Sequence, residues 1–243
     1  MPKASRFFPP LARSAGAAAL DYRFNRRSPL PALGERDQKL LRSSEELVLP
    51  PPLWAAPGSQ SYRGLAFLVE LGRFVGARQV FEIGTYNGAT AWCLARNLEA
   101  PEVHTLDLPL EQKPVLEFGV SDAGNRVAFE RTAYEVLPLS TGRVVQHWGD
   151  SATFDFTSWR RSIDLVYVDG AHSHEYVRAD SATALDLVSD SGAVVWDDYW
   201  RRIQGVQAIL DDLPIPLFRV PGTRLVVHFA PTALDRLREL GSR

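Results

Sequence analysis

The sequence predicts an α/β protein built on a mostly parallel sheet with helices on both faces. Three observations carry this reading. Short apolar runs alternate with helical patterns along most of the chain. One run, Val80-Phe81-Glu82-Ile83, turns through Gly84 and Gly88 directly into a helical spacing of Ala91, Leu94 and Ala95. An acidic residue stands at or just past the end of each of the first five strand patterns: Glu82, Asp107, Asp150, Asp169 and the pair Asp197-Asp198. In an open α/β sheet, ligands bind beyond the carboxyl ends of the strands.

The elements follow in order. Residues 1–57 read as an irregular, proline-rich extension, with a short helix over Asp37–Leu47, and residues 58–243 as the domain proper. A helix over Ser59–Gly76 leads into the first strand. Strands are predicted at Gln79–Ile83, Val103–Leu108, Arg143–Trp148, Ile163–Asp169 and Ala193–Asp197. Helices fit Thr90–Leu98, Glu175–Leu187 and Ile203–Leu213, and a further helix over Arg126–Leu137 fills the long connection after Leu108. Leu217–Val220 and Arg224–Phe229 flank Pro221-Gly222, so the last two of seven strands form an antiparallel hairpin.

Composition narrows the function. The 243 residues are 45% hydrophobic and 23% charged, ordinary for a globular chain with a sizeable core. A net charge of -2 offers no basic field for nucleic acid or an acidic membrane. The single cysteine, Cys93, excludes an intrachain disulfide and reads as a small buried hydrophobe. No apolar run is long enough to span a bilayer. Residues 1–30 are arginine-rich with Asp21 as their only acid, and Ala15–Leu20 is too short for a secretory core. The expectation is a cytoplasmic protein. Its proline-rich start can swap onto a second copy, so a homo-oligomer is allowed.

The turn after the first strand reads Glu82-x-Gly84-x-x-x-Gly88. It fails the dinucleotide fingerprint, because Tyr86 stands where the second glycine belongs. Gly84 allows a tight turn, Gly88 lets a ligand approach the backbone, and the helix start presents free N–H groups. A carboxylate at Glu82 suits an ammonium or sulfonium and repels a phosphate. Asp107 can accept from a ribose diol. Asp169, Asp197 and Asp198 would converge, and a divalent cation removes the repulsion among them. An all-oxygen set suits magnesium, manganese or calcium. His172, with an unperturbed pKa near neutrality, is the candidate base and His174 the second. Zinc held by Asp169, His172 and His174 lacks support from a cysteine or a helical H-x-x-x-H.

The first of these stretches resembles the opening motif of class I S-adenosylmethionine-dependent methyltransferases. The sheet with its antiparallel hairpin is similar to their Rossmann-like fold. Asp169-Gly170-Ala171-His172, followed by Tyr176 and by Asp197-Asp198, resembles the metal-dependent small-molecule O-methyltransferases, chiefly bacterial ones. The resemblance covers residues 59–230 and leaves the start of the chain unexplained.

It implies a donor site of Glu82, Gly84, Tyr86, Asn87, Gly88, Asp107, Asp150, Ser151 and Asp169, with Asp150 on the adenine amino group. It implies a magnesium-type ion on Asp169, Asp197 and Asp198, catalysis through Asp169 and His172, and a sugar, phenol or natural-product hydroxyl as acceptor. Gln60 and Ser61 would lie by the donor's methionine end. Beside the resemblance, Tyr199 and Trp200 could wall the acceptor, with a core place equally open to Trp200; Arg201 and Arg202 read as an exposed basic pair that could meet an acidic acceptor; and Tyr86 and Trp148 could stack near the adenosine, a core place being favoured for Trp148. Two departures stand out. No lysine follows Lys113, so the lysine base of catechol-type enzymes is missing, and Ala171 replaces an aspartate of related sugar enzymes. Metal-independent methylation through His172, or a non-catalytic cofactor-binding protein, are the competing readings.

Overall fold

The computed structural model describes residues 28–54, 58–119, 122, 129–139, 141–200 and 203–242. Its strands are β1 (Gln79–Ile83), β2 (Glu102–Asp107), β3 (Arg143–Trp148), β4 (Ile163–Val168), β5 (Val188–Trp196), β6 (Phe218–Arg219) and β7 (Val226–Phe229). The helices are α1 (Glu35–Leu41), α2 (Tyr62–Val75), α3 (Ala89–Asn97), α4 (Ala133–Val136), α5 (His174–Leu187), α6 (Gln204–Asp212) and α7 (Pro231–Ser242). The seven strands run in the order β3-β2-β1-β4-β5-β7-β6. Pairings among β1 to β5 are parallel, and β7 inserts antiparallel between β5 and β6. This is the mostly parallel seven-stranded sheet that the sequence predicts.

Side chains alternate across each strand, and the two faces bury different sets. Val80, Val103, Leu165, Ala193, Val195 and Val227 pack under α2, α3 and α7. Phe81, Ile83, Leu106, Val166, Val194 and Trp196 pack under α5 and α6. Leu68 of α2 and Leu210 of α6 are fully buried, so truncating either to alanine would cost about 2–5 kcal/mol. Helix α2 starts where the Ser61 hydroxyl accepts from the Gly64 N–H at 3.1 Å. It stops at Gly76, which is left-handed with φ 69°. Cys93 is buried among apolar groups, which pushes its thiol up to about 12.

Differences from the expected elements have local causes. Helix α1 ends at Leu41 rather than Leu47, and beyond it Asn97 of α3 holds Val48 by two hydrogen bonds, 2.7 and 2.8 Å long. Strand β5 begins at Val188, because the polar Ser189-Asp190-Ser191 run stays extended. Helix α7 has no counterpart in the sequence reading. Of the predicted Arg126–Leu137 helix, residues 129–137 are described, and only Ala133–Val136 is helical. Residues 31–33 run beside the edge strand, with Leu33 N–H donating to the Arg219 carbonyl at 2.8 Å. Leu33 and Leu41 join the main core. Among the described residues, no helix is long and apolar enough to cross a membrane.

Candidate active site

The backbone ladder continues one step past several strands and so fixes where each acid emerges. Gly84 N–H donates to Leu106 O at 2.8 Å, Asp169 N–H to Ile83 O at 2.8 Å, and Asp197 N–H to Val168 O at 3.0 Å. Glu82 is in register with Thr105 on one side and Tyr167 on the other. Asp107 and Asp169 lie two residues further along those strands, and Val195 registers with Tyr167 two before Asp197. By the period of two, Glu82, Asp107, Asp169 and Asp197 share the face covered by α2 and α3. They line one carboxyl edge.

The turn between β1 and α3 is built for its neighbours. A Cβ on Gly84, where φ is 100°, would sit 2.1 Å from the Asp169 carbonyl oxygen. Only glycine lets β1 and β4 deliver their acids side by side. Gly88, at φ 73°, was expected to leave room for a ligand. The space over it is filled instead, since a Cβ there would meet the Tyr134 ring at 2.6 Å. Tyr86 is left-handed too, with φ 49°, and its N–H donates to Asp107 Oδ2 at 2.9 Å. Its ring packs edge-on to Phe129. Asn87 is buried: its Oδ1 accepts from Ala89 N–H at 3.1 Å, while Nδ2 donates to Trp54 O and Ser59 Oγ. In this structure it holds the first N–H of α3 and ties down the preceding loop.

Glu82 is buried and accepts a 2.5 Å hydrogen bond from Thr105. Burial raises its pKa to about 8; the Thr105 hydroxyl opposes the rise and Asp107 adds to it. Asp107 also accepts from Leu108 N–H at 2.9 Å. Asp150 is buried beyond β3. Its Oδ2 accepts from Val115 N–H at 2.7 Å and the Tyr176 hydroxyl at 2.6 Å, and its Oδ1 from Ala152 N–H at 2.9 Å. The carboxylate thus fastens the loop after β2 to α5. Ser151 approaches Asp180, whose pKa is raised to about 7 by burial, with the serine hydroxyl opposing and Asp150 adding. Neither Asp180 oxygen makes an aligned hydrogen bond. Trp148, expected in the core, is 61% exposed beside Asp107, because β3 is the sheet edge.

At the other end of the edge, Tyr167 organises two carboxylates. Its hydroxyl lies 2.9 Å from Asp169 Oδ2 and 3.5 Å from Asp197 Oδ2, and accepts from Gln60 Nε2 at 2.9 Å. Gln60 also donates to Asp197 Oδ2 at 2.8 Å. Arg224 closes the group: Nη2 is 3.4 Å from Asp197 Oδ2 and Nη1 is 2.7 Å from Asp198 Oδ1. That second contact is an ion pair without hydrogen-bond alignment, since Asp198 Oδ1 accepts none. Asp198 itself is left-handed, with φ 56°, a strained state for aspartate that the surrounding contacts hold.

His172 lies between two acids. Nδ1 is 2.5 Å from Asp122 Oδ1, and Nε2 is 2.8 Å from Asp198 Oδ2. Burial alone would lower its pKa; hydrogen bonds to Asp122 and Asp198, and their charges, lift it to about 10. The near-neutral base expected from sequence is therefore an imidazolium here. Asp169 is pushed well above the carboxylate range by burial first, then by Asp197 and Asp198. Burial and Asp198 raise Asp197 to about 6 against Arg224.

The converging trio differs from the expected one. Ligand atoms of Asp169, His172 and Asp198 lie within 4.8 Å of one another, while Asp197 is engaged with Gln60, Tyr167 and Arg224. His174 is exposed at the start of α5. Tyr199, expected at an acceptor wall, is buried, with its hydroxyl bonded to Ser28 and Asp211. Ser61 is the cap of α2, and Arg201 and Arg202 lie outside the described residues. Sequence reasoning missed Asp122, Tyr167 as a bridging group, and Arg224. Tyr167 had a signal, a polar group two residues before Asp169 on the same face. Asp122 had none.

Residues 81–199 match the family model of a methyltransferase domain. They contain every acid of the carboxyl edge. Over those residues the chain is similar to a methyltransferase domain, and its sheet has the Rossmann-like fold of such domains. A methyltransferase from Podospora anserina, solved with SAH bound, is 18% identical at a TM-score of 0.50, covering 92% of this chain and 97% of its own. An O-methyltransferase from Bacillus cereus, in complex with SAH, is 18% identical at 0.49, covering 81% of this chain and 91% of its own. No curated protein matches the sequence. At 18% identity the likeness to the Podospora protein shows the fold alone, and the roles of individual residues rest on the geometry above.

Proposed function

We propose that this methyltransferase domain moves a methyl group from S-adenosylmethionine to a hydroxyl of a small molecule, with a divalent cation assisting at the Asp169 end. The observation that carries it is the placement of Glu82, Asp107 and Asp169 on one face of one sheet edge. A long cationic ligand laid along that edge meets the buried Glu82, whose ionised form a positive charge favours, and a diol acceptor at Asp107. The SAH-bound state of the Podospora protein supports a donor of this class. Asp150 anchors the loop that would border the adenine.

Methyl transfer is an in-line displacement, so the chain's main work is to position two reactants and exclude water. The acceptor hydroxyl must also lose a proton. In the metal-free reading Asp169, at the sheet edge, is the group placed to accept it once its carboxyl is ionised. Tyr167 and Gln60 hold Asp169 and Asp197 apart, and Arg224 offsets the charge of Asp197 and Asp198.

The residues fit a cation. Asp197 Oδ1 and Asp198 Oδ1 are buried without an aligned hydrogen bond. Among the described residues, the four carboxylates Asp122, Asp169, Asp197 and Asp198 have Arg224 and His172 as positive partners. Asp169 and Asp198 would hold the ion, which when bound would lower the pKa of an acceptor hydroxyl. A metal-free reading has its own support, because Arg224 and a charged His172 already offset part of the acidic charge. Calorimetric titration with S-adenosylmethionine tests the donor: absence of binding, with and without magnesium, would sink the proposal. Activity unchanged by EDTA would remove the metal and leave Asp169 as base.

A further inference from the structure

We infer that His172 is a metal ligand of this site, aimed by Asp122, which makes the centre a mixed nitrogen–oxygen one that selects manganese or iron(II)-type ions over magnesium. The inference rests on the metal half of the function proposed above and names the ion class.

The ligand atoms of Asp169, His172 and Asp198 come from the ends of two neighbouring strands and lie within 4.8 Å of one another. The edge between His172 Nε2 and Asp198 Oδ2 is 2.8 Å. Adjacent ligands around an ion with bonds of about 2.1 Å sit about 3 Å apart, so this edge needs little adjustment. Asp197, the third carboxylate expected from sequence, is turned to Gln60 and Arg224.

Asp122 supplies what a ligating imidazole needs behind it. Its Oδ1 is 2.5 Å from His172 Nδ1, both its oxygens accept from the His172 backbone N–H at 3.1 Å, and Gly119 N–H donates to Oδ2 at 2.9 Å. The Asp122 carboxylate is therefore fixed, and it keeps the proton on Nδ1. Nε2 is then directed at Asp198, and the proton it carries in the metal-free state leaves to solvent when the ion takes its place. Carboxylate, histidine and metal in line is a recurrent arrangement, and the outer carboxylate sets tautomer and basicity. Two carboxylates and one imidazole suit manganese, iron(II) or cobalt, whereas magnesium favours oxygen.

Pulsed EPR of Mn2+ bound to the full chain, without donor, tests this directly. The expected result is nitrogen-14 modulation on the Mn2+ echo and Mn2+ binding at least tenfold tighter than Mg2+. His172→Gln should abolish the modulation and weaken Mn2+ about 10–100-fold. Asp122→Asn should weaken it about tenfold while keeping the modulation. A metal-free melting curve and donor titration on each variant confirm that it folds. Mn2+ bound without nitrogen modulation, or modulation that survives in His172→Gln, would overturn the inference and leave an all-oxygen metal site standing. No Mn2+ bound at all would overturn both it and the metal half of the proposed function, while donor binding decides the rest.

Discussion

Glu82 offers the sharpest physical test of the carboxyl edge. Its folded pKa is raised from 4.5 to about 8, chiefly by burial. The difference, 8 − 4.5, is about 3.5 pH units, or about 5 kcal/mol between the two protonation states. Because the folded value lies above the unfolded one, its stabilising contribution is fully present below pH 4.5 and is lost as pH rises to about 8. At pH 8 the group is half-ionised and the loss amounts to about 4 kcal/mol. Glu82→Gln keeps an oxygen for the Thr105 hydroxyl and removes the ionisation. Each kcal/mol moves the melting temperature of a chain this size by about 2–4 °C. The variant's melting temperature relative to the native chain should therefore rise by on the order of 10 °C between pH 5 and pH 8. Asp180 and Asp197 also titrate in this range, but they are present in both proteins and cancel. Thermal unfolding followed by circular dichroism at four pH values gives the comparison. A difference that stays constant across that range would refute the buried, proton-holding Glu82. The same variant should bind S-adenosylmethionine about 10–100-fold more weakly at pH 8, where the native carboxylate can ionise against a cationic donor.

Three other outcomes follow from the contacts. Gly84→Ala places a methyl 2.1 Å from the Asp169 carbonyl at a φ of 100°, so it should cost at least about 3 kcal/mol and abolish donor binding, read by denaturant titration and calorimetry. Tyr176→Phe removes the 2.6 Å hydrogen bond to Asp150 and should cost about 1–2 kcal/mol, with faster amide exchange at Val115, whose N–H shares that carboxylate. Arg224→Met leaves Asp197 and Asp198 without their shared cation, so it should destabilise the metal-free protein by about 3 kcal/mol, and added Mn2+ should restore more of the melting temperature than it adds to the native chain.

The sheet was legible because its strands are short apolar runs bounded by turn residues. The limits of β1 and β3 were read to the residue. Where polar residues stay extended, as in Ser189-Asp190-Ser191, the pattern was silent and β5 was read too short. Helix α7 did carry a signal, Pro231 at its first turn and Ala233, Leu234, Leu237 and Leu240 at helical spacing, which the sequence reading left unused. Acids at strand ends were also legible, because topology alone brings strand ends together. What they touch was not. His172 reads as a free base until Asp122, fifty positions away, and Asp198 are seen on its two nitrogens. Arg224 looked like the first residue of a strand, and only the antiparallel insertion of β7 beside β5 brings it to the acidic pair. Gly88 was read as open space because a glycine does not reveal what leans over it, here Tyr134.

A crystal grown with S-adenosylhomocysteine and Mn2+, with anomalous data collected at the manganese edge, tests the central claim most directly. The expected result is a ribose bonded to Asp107, the donor's amino-acid end toward Glu82, its sulfur facing Asp169, and an anomalous peak touching Asp169, His172 and Asp198. Product bound away from these carboxylates, or density for it on the α5–α6 face of the sheet, would contradict it.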